Sequence, residues 1–251
     1  MIGGGINPFF RNISITISSL FVYGCKLLFL CTAANFSFMK CTHFLFGISF
    51  LITAVNVSCA QQSRQAVALF DGKTFQGWEG DTTNTWKIED RALVGGSLTE
   101  TVPHNDFLVT IQPYEDFILS LKFKLLGDEG FINAGIQFHS QRMDDPAYEM
   151  IGYQADLGKD YWASLYDESR RRKTLAAPDS VLVAEILKPN EWNDYMIRTK
   201  DGRIQLWLNG QKAVDYYEPD ASIPQSGYIG LQIHGNGKAK VFYKDIVLEE
   251  L

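Results

Sequence analysis

The chain has 251 residues, with 23 Lys and Arg against 29 Asp and Glu and a formal net charge of −6. A single β-sandwich can use most of that length, and an acidic balance without a long basic run excludes the phosphate-neutralising surface of a nucleic-acid binder. The one basic cluster, Arg170-Arg171-Arg172-Lys173, reads as a solvated loop.

The first sixty residues differ in kind from the rest. They contain no Asp or Glu, and only Arg11, Lys26 and Lys40 carry charge. Downstream stand 20 Lys and Arg against 29 Asp and Glu, a balance of −9. All four cysteines, Cys25, Cys31, Cys41 and Cys59, also lie in this stretch. The downstream part therefore has no disulfide framework, thiol nucleophile or cysteine-ligated zinc. Its core alone must hold it, which is feasible where a domain buries roughly 70% of its unfolded surface.

Met39-Lys40 leads into Cys41-Thr42-His43, the apolar run FLFGISFLITAV and then NVSCA-Gln61. A positive start, an apolar middle and small residues at Ser58 and Ala60 make a secretory signal over 39–60, with cleavage expected after Ala60 and an exported mature domain. Cys59 offers the alternative of a lipoprotein, but Asn56 stands where a lipoprotein signal usually has an aliphatic residue. Residues 1–38 are then surplus. The run Ile13–Ala33 is about long enough to span a bilayer. It is either a membrane segment or part of an upstream extension to a chain that starts at Met39, and the second is preferred because a complete signal begins there. Membrane contact is expected only with lipidation or with residues 1–38 retained.

From about Val67 the apolar residues recur with period two rather than at helical spacing. In Asp116–Lys124, Phe117, Leu119, Leu121 and Phe123 share a face. In 132–140 the apolar set is Ile132, Ala134, Ile136 and Phe138, with Asn133, Gly135, Gln137 and His139 opposite. In 150–157, Ile151, Tyr153, Ala155 and Leu157 point inward and leave Gln154 and Asp156 outward. In 161–166, Trp162, Ser164 and Tyr166 form the polar face. Asp201-Gly202 and Asn209-Gly210 are hairpin turns that flank Ile204–Leu208 and imply a meander over 194–217. In 228–234, Ile229, Leu231 and Ile233 are core, with Gln232 and His234 outward. Many short strands between Gly-rich turns predict an all-β sandwich or barrel of antiparallel sheets.

Should these strands share a sheet, their outward residues form one surface of amides, a carboxylate, imidazoles and aromatic rings. Such a set suits a sugar: amides and carboxylates bond its hydroxyls and a ring covers its C–H face. A solvated sheet face alternates in the same way. Two of the three histidines beyond the signal, His139 and His234, nevertheless fall on it. His104, in VPHND, reads as a turn residue.

The sequence then resembles a known family. Leu69-Phe70-Asp71-Gly72-Lys73-Thr74 with Trp78, Trp86-Lys87-Ile88-Glu89-Asp90, Asn133-Ala134-Gly135-Ile136 and Gly152-Tyr153-Gln154-Ala155-Asp156 occur in order. Glu191-Trp192-Asn193, Leu208-Asn209-Gly210, Gly230-Leu231-Gln232-Ile233-His234-Gly235 and Phe242-Tyr243-Lys244-Asp245-Ile246 follow. Together they resemble the 3-keto-disaccharide hydrolase family across nearly all of 67–251. The resemblance implies a concanavalin A-like jelly-roll sandwich and cleavage of glycosides oxidised at C3. Two positions depart from it: His139 stands where many members carry Arg, and Gln154 where many carry Glu. Asp156, Glu149 or Asp167 are candidates for that carboxylate's duty.

A C3 ketone acidifies the C2 proton, and the resulting enolate can expel the C1 substituent before water adds back. Proton transfer suits His139, His234 and Asp156. Gln137, Gln154 and Gln232 are then the amides that bind substrate, with Trp162 and Tyr166 as ring platform. His139, His234 and Asp156 could also hold a divalent cation. The alternatives are a retaining glycosidase, which needs two carboxylates, and a sugar-binding module without catalysis.

Overall fold

A computed structural model describes residues 65–251. The signal, its cleavage site, the four cysteines and the 1–38 extension lie outside the described residues. Two antiparallel sheets pack face to face. The first runs β13 (Gln211–Tyr217), β12 (Arg203–Leu208), β11 (Asn193–Lys200), β6 (Phe117–Gly130), β15 (Gly237–Glu250), β4 (Ala92–Gly96), β3 (Trp86–Glu89), with β1 (Val67–Ala68) also on β15. The second runs β10 (Lys173–Ala176), β9 (Leu165–Glu168), β8 (Met150–Gly158), β7 (Asn133–Arg142), β14 (Tyr228–Ile233), β5 (Asp106–Thr110), β2 (Trp78–Glu79). One seven-residue helix, α1 (Ser180–Ile186), is the helical element among the described residues; Asp179 caps it by accepting from the Val181 amide at 2.8 Å.

The expected alternation builds the core. Phe117, Leu119, Leu121, Phe123 and Leu125 face inward from β6, and Ala134, Ile136 and Phe138 meet them from β7. Each fully buried Leu, Ile or Phe contributes about 1.5–3 kcal/mol. The β11–β12–β13 meander turns at Asp201-Gly202 and Asn209-Gly210. Both residues of each pair have positive φ, as a two-residue type I′ hairpin requires. Tyr243 ties the sheets together: from β15 its hydroxyl donates to the carbonyls of Gly135 and Gln232, at 2.9 and 3.0 Å.

Only Arg172 and Lys173 of the basic cluster are solvated. Arg170 and Arg171 turn back onto Asp167, which is fully buried, and Arg171 also donates to Glu218 at 3.1 and 2.7 Å. Arg170 lies over the Tyr153 ring at 4.7 Å, and the Tyr153 hydroxyl donates to Glu218 at 2.7 Å. Burial opposes ionisation of Glu218, but the bonds from Arg171 and Tyr153 win and hold its carboxyl down at about 2. Asp167, spent in this ion cluster, is not available as a replacement site carboxylate.

Candidate active site

Pairing of β14, β7, β8 and β9 aligns residues on the outer face of the second sheet. Gly230, Gln137, Gln154 and Tyr166 form one row, and Gln232, Gly135 and Asp156 the next. The glycines keep the floor low. A Cβ at Gly135 would come within 2.6–2.9 Å of the Gln154 side chain, so this position admits Gln154 only because it is glycine.

A cleft of about 220 Å³ opens on this face, lined by Phe131, Asn133, Gln154, Asp156, Tyr161, Tyr166, Glu168 and His234. It is smaller than the roughly 300–1,000 Å³ of drug-sized ligand sites, so a single ring suits it better than a long chain. A larger groove of about 640 Å³ borders Gln65, Tyr114 and Leu248 at the β1 edge. Its lining holds carboxylates and one amide, Gln65, but no imidazole, and the smaller cleft holds the chemistry.

The cleft's acid–base groups are unusual. Asp156 is 4% exposed. Burial is the main cause that pushes its carboxyl up to about 7; the charge of Glu168 adds to this, while bonds from Gln154 and Asn133 oppose it. Glu168 is likewise raised to about 7, first by burial and then by the charge of Glu149. Two carboxyls that line one cleft, Glu168 opposite Gly152 in the register, and hold protons near neutrality are acid–base candidates. Burial also raises the Tyr166 phenol. The His234 Nδ1 lies 2.7 Å from the Gly235 carbonyl, which can only accept. Nδ1 therefore carries the proton in the neutral ring, and Nε2 is left with a free lone pair. Phe131 stands edge-on to His234 at 4.6 Å and to Tyr161 at 6.4 Å, forming an aromatic wall.

Among the sequence-predicted residues, Gln154, Asp156, Tyr166 and His234 come together in this cleft. Gln137 and Gln232 occupy the same face by register but are 0% exposed beneath it, so neither meets a ligand in this state. His139 does not belong to the face. The β7–β8 register slips between Phe138 and Gln141, and His139 has φ 46. One residue of slip reverses parity, and the ring enters the sandwich interior. Its Nε2 there donates to the Glu115 carbonyl at 2.6 Å and lies 3.1 Å from Thr199 Oγ1 on β11. Burial depresses His139 to about 4.

Trp162 also lies elsewhere. Residues 159–164 are turn rather than strand, with left-handed Asp160 and Ala163, and Trp162 stacks on Phe123 of the core at 6.2 Å. Tyr161 and Phe131 supply the rings that line the cleft. With His139 removed, the His–His–carboxylate set for a cation does not form; among the described residues no three His, Cys, Asp or Glu side chains gather to hold a metal ion.

Sequence reasoning passed over Glu168 and Tyr161. Glu168 was open to the period-two argument, since it stands two residues beyond Tyr166 on β9. His104 has more partners than a plain turn residue: it stacks on Tyr148 at 3.9 Å, beside Asn105, whose amide donates to Glu149 at 3.0 Å.

The model of a family described as the 3-keto-alpha-glucoside-1,2-lyase-like domain matches residues 65–249. No curated protein sequence matches the chain at a significant level. Among solved structures, a protein from Parabacteroides distasonis ATCC 8503, named provisionally as a glycosyl hydrolase, is 24% identical with a TM-score of 0.55, over 74% of this chain and 94% of its own. A carbohydrate binding module from Bacillus subtilis is 14% identical with a TM-score of 0.53, over 69% and 96%. The β-glucanase of Bacillus licheniformis is 12% identical with a TM-score of 0.51, over 76% and 99%. At these identities the likeness carries the jelly-roll sandwich alone, a fold that hosts chemistry and binding alike.

Proposed function

The chain belongs to the 3-keto-alpha-glucoside-1,2-lyase-like domain family, and from that premise we propose that it cleaves glycosides whose sugar carries a ketone at C3. Membership makes the function a carbohydrate-active one; the 3-keto substrate and the residue roles are our reading. One observation carries it: Asp156 and Glu168, both held near 7, share one small cleft with an imidazole, amides and rings.

The chemistry needs a base for the C2 proton, donors at the C3 oxygen and an acid for the C1 leaving group. One ionised carboxylate of the Asp156–Glu168 pair takes the C2 proton. The C3 enolate that forms drives cleavage of the C1–O bond. The protonated partner, or a protonated His234, gives its proton to the departing oxygen. Water then adds at C1, and C2 recovers its proton, so the net reaction is hydrolysis. The amides of Asn133 and Gln154 and the hydroxyls of Tyr161 and Tyr166 are the donors at hand for the C3 oxygen. Phe131 and Tyr161 cover the ring's apolar side.

The test is turnover of a chromogenic glucoside against its 3-keto form. Cleavage of the 3-keto form alone is expected. Cleavage of the plain glucoside at an equal rate would point to an ordinary glycosidase. Binding without turnover would point to a sugar-binding module. We further propose export through the signal at 39–60. Intact mass of the secreted protein should begin at Gln61; a lipid on Cys59 or retained residues 1–38 would reject this.

A further inference from the structure

Beneath the cleft, a hydrogen-bonded line of side chains leads away from Asp156 into the protein. Gln154 Nε2 donates to Asp156 Oδ1 at 2.7 Å. Gln137 Nε2 donates to Gln154 Oε1 at 3.0 Å. Ser140 Oγ donates to Gln137 Oε1 at 2.6 Å. Asp156 is 4% exposed, Gln154 is 2% exposed, and Gln137 and Ser140 are 0% exposed. No solvent rearrangement can therefore mend a broken link, and each amide must be satisfied by its neighbours.

The far end has a second acceptor. Ser140 Oγ also lies 2.9 Å from the Phe138 carbonyl and 3.5 Å from the Tyr153 carbonyl. The bulge after Phe138 sets it there. Gly152 makes the room, since a Cβ at that position would fall 2.0 Å from Ser140 Oγ. This end point permits a second arrangement of the whole line. A protonated Asp156 donates to Gln154 Oε1, with the Gln154 amide turned over. Gln154 Nε2 then donates to Gln137 Oε1, and Gln137 Nε2 to Ser140 Oγ. The Ser140 proton turns to the Phe138 carbonyl. Every link of the line is made in both arrangements, and the two differ only in two amide flips and one hydroxyl rotation.

We propose that Gln137 and Ser140 are positioning residues of the cleft, forming with Gln154 a reversible amide line that satisfies Asp156 equally when ionised and when protonated. This rests on the reading of Asp156 as an acid–base group. A buried carboxyl that must gain and lose a proton in each turnover would otherwise leave a buried amide unpaired in one state, a cost that would displace its midpoint. The other groups that face Asp156 across the cleft are Asn133 from β7, Tyr166 and Glu168 from β9, Tyr161 from the β8–β9 turn and His234 after β14, and from the core side the buried phenols of Tyr195 on β11 and Tyr243 on β15 feel its charge. Glu149 and Arg172 act on it through Glu168. None of them touches Ser140 by a hydrogen bond, so a change at Ser140 reaches Asp156 through the amides.

The test is carbon-detected NMR titration of the Asp156 carboxyl in the full domain, assigned with Asp156→Asn, in wild type, Ser140→Ala and Gln137→Leu. Ser140→Ala removes the acceptor that the protonated arrangement needs for Gln137 Nε2. In the ionised arrangement it removes only a donor to Gln137 Oε1, and an unpaired N–H costs more than an under-satisfied carbonyl. The Asp156 midpoint should fall by about 0.5–1 pH unit, the differential worth of one neutral hydrogen bond. Ser140→Cys, a weak donor and acceptor, should restore part of it. Gln137→Leu, by cutting the line next to Gln154, should move the midpoint at least as far as Ser140→Ala. A midpoint unchanged in a folded Ser140→Ala protein would overturn the proposal, even with full 3-keto-glucoside turnover. A shifted midpoint in a protein that turns over no 3-keto sugar would keep the line and reject the proposed reaction.

Discussion

His139 Nε2 and Thr199 Oγ1 lie 3.1 Å apart across the two sheets, both directed at the Glu115 carbonyl. The imidazole is a strut between the sheets, packed edge-on against Phe117, Phe138 and Tyr153. His139→Ala should therefore lower stability by about 2–4 kcal/mol, as a buried truncation does, and leave turnover per folded molecule within about threefold. Chemical denaturation beside activity at matched folded fraction checks this. A hundredfold loss of turnover with unchanged stability would return His139 to the reaction.

The same strut sets a pH dependence. The folded value of His139 is about 4 and the unfolded value 6.5. Between them the unfolded chain binds more protons, so this contribution is complete above pH 6.5 and is lost as pH falls toward 4. It amounts to at most about 3 kcal/mol. Asp156 and Glu168 act with the opposite sign, so the difference between His139→Gln and wild type is the quantity to measure. That difference should shrink as pH falls from 7 to 4; a constant difference would show that His139 titrates normally.

Asp156→Asn should separate function from stability. The wild-type carboxyl is raised to about 7 in the fold against 3.8 unfolded. Its protonated form is favoured by the fold, so its contribution is present at low pH and becomes a penalty as pH rises through 7. The amide cannot ionise. Asp156→Asn should lose about 10²-fold or more in turnover while gaining on the order of 1–3 kcal/mol at pH 8 and little at pH 4. Glu168→Gln should show the same pattern. If one carboxyl acts as base and the other as acid, the wild-type rate is bell-shaped, with two apparent values that belong to the pair. A monotonic profile would argue against the pair.

Arg171→Ala should be among the most damaging single changes. It strips a guanidinium from Asp167 and Glu218 and leaves buried carboxylates underpaired, at about 3–5 kcal/mol. Arg171→Lys should recover only part, because an ammonium cannot make the two parallel bonds to Glu218. Glu218, depressed from 4.5 to about 2, contributes stability that is present above pH 4.5 and lost as pH falls through 2. A loss below 1 kcal/mol in thermal or urea melts would refute this account.

Trp162→Ala should destabilise the domain by about 3–5 kcal/mol, as loss of a large ring packed on Phe123 does, without changing sugar affinity of the folded protein. Tyr161→Ala should do the reverse, weakening sugar binding about tenfold with little effect on melting. Calorimetric binding and melting of both variants decide between them. Loss of affinity only at Trp162 would make it the platform after all.

Period-two alternation determined the all-β class, and with it the inward sets of β6, β7, β8, β12 and β14. Positive-φ tolerance at Asp201-Gly202 and Asn209-Gly210 determined two hairpins. These are local properties, written in consecutive residues. Parity alone also put Gln154, Asp156 and His234 on one side of their strands. Tertiary structure decided the rest. A bulge after Phe138 carried His139 inside, because the inserted residues reverse parity only once β8 sets the register. Turn geometry at 159–164 exchanged Trp162 for Tyr161 at the cleft. Neighbour order, β14 beside β7 beside β8 beside β9, brought Glu168 into the same cleft as Asp156. It also laid Gln154 over Gly135, and the burial that followed raised both carboxyls, a property that no strand has until the others cover it.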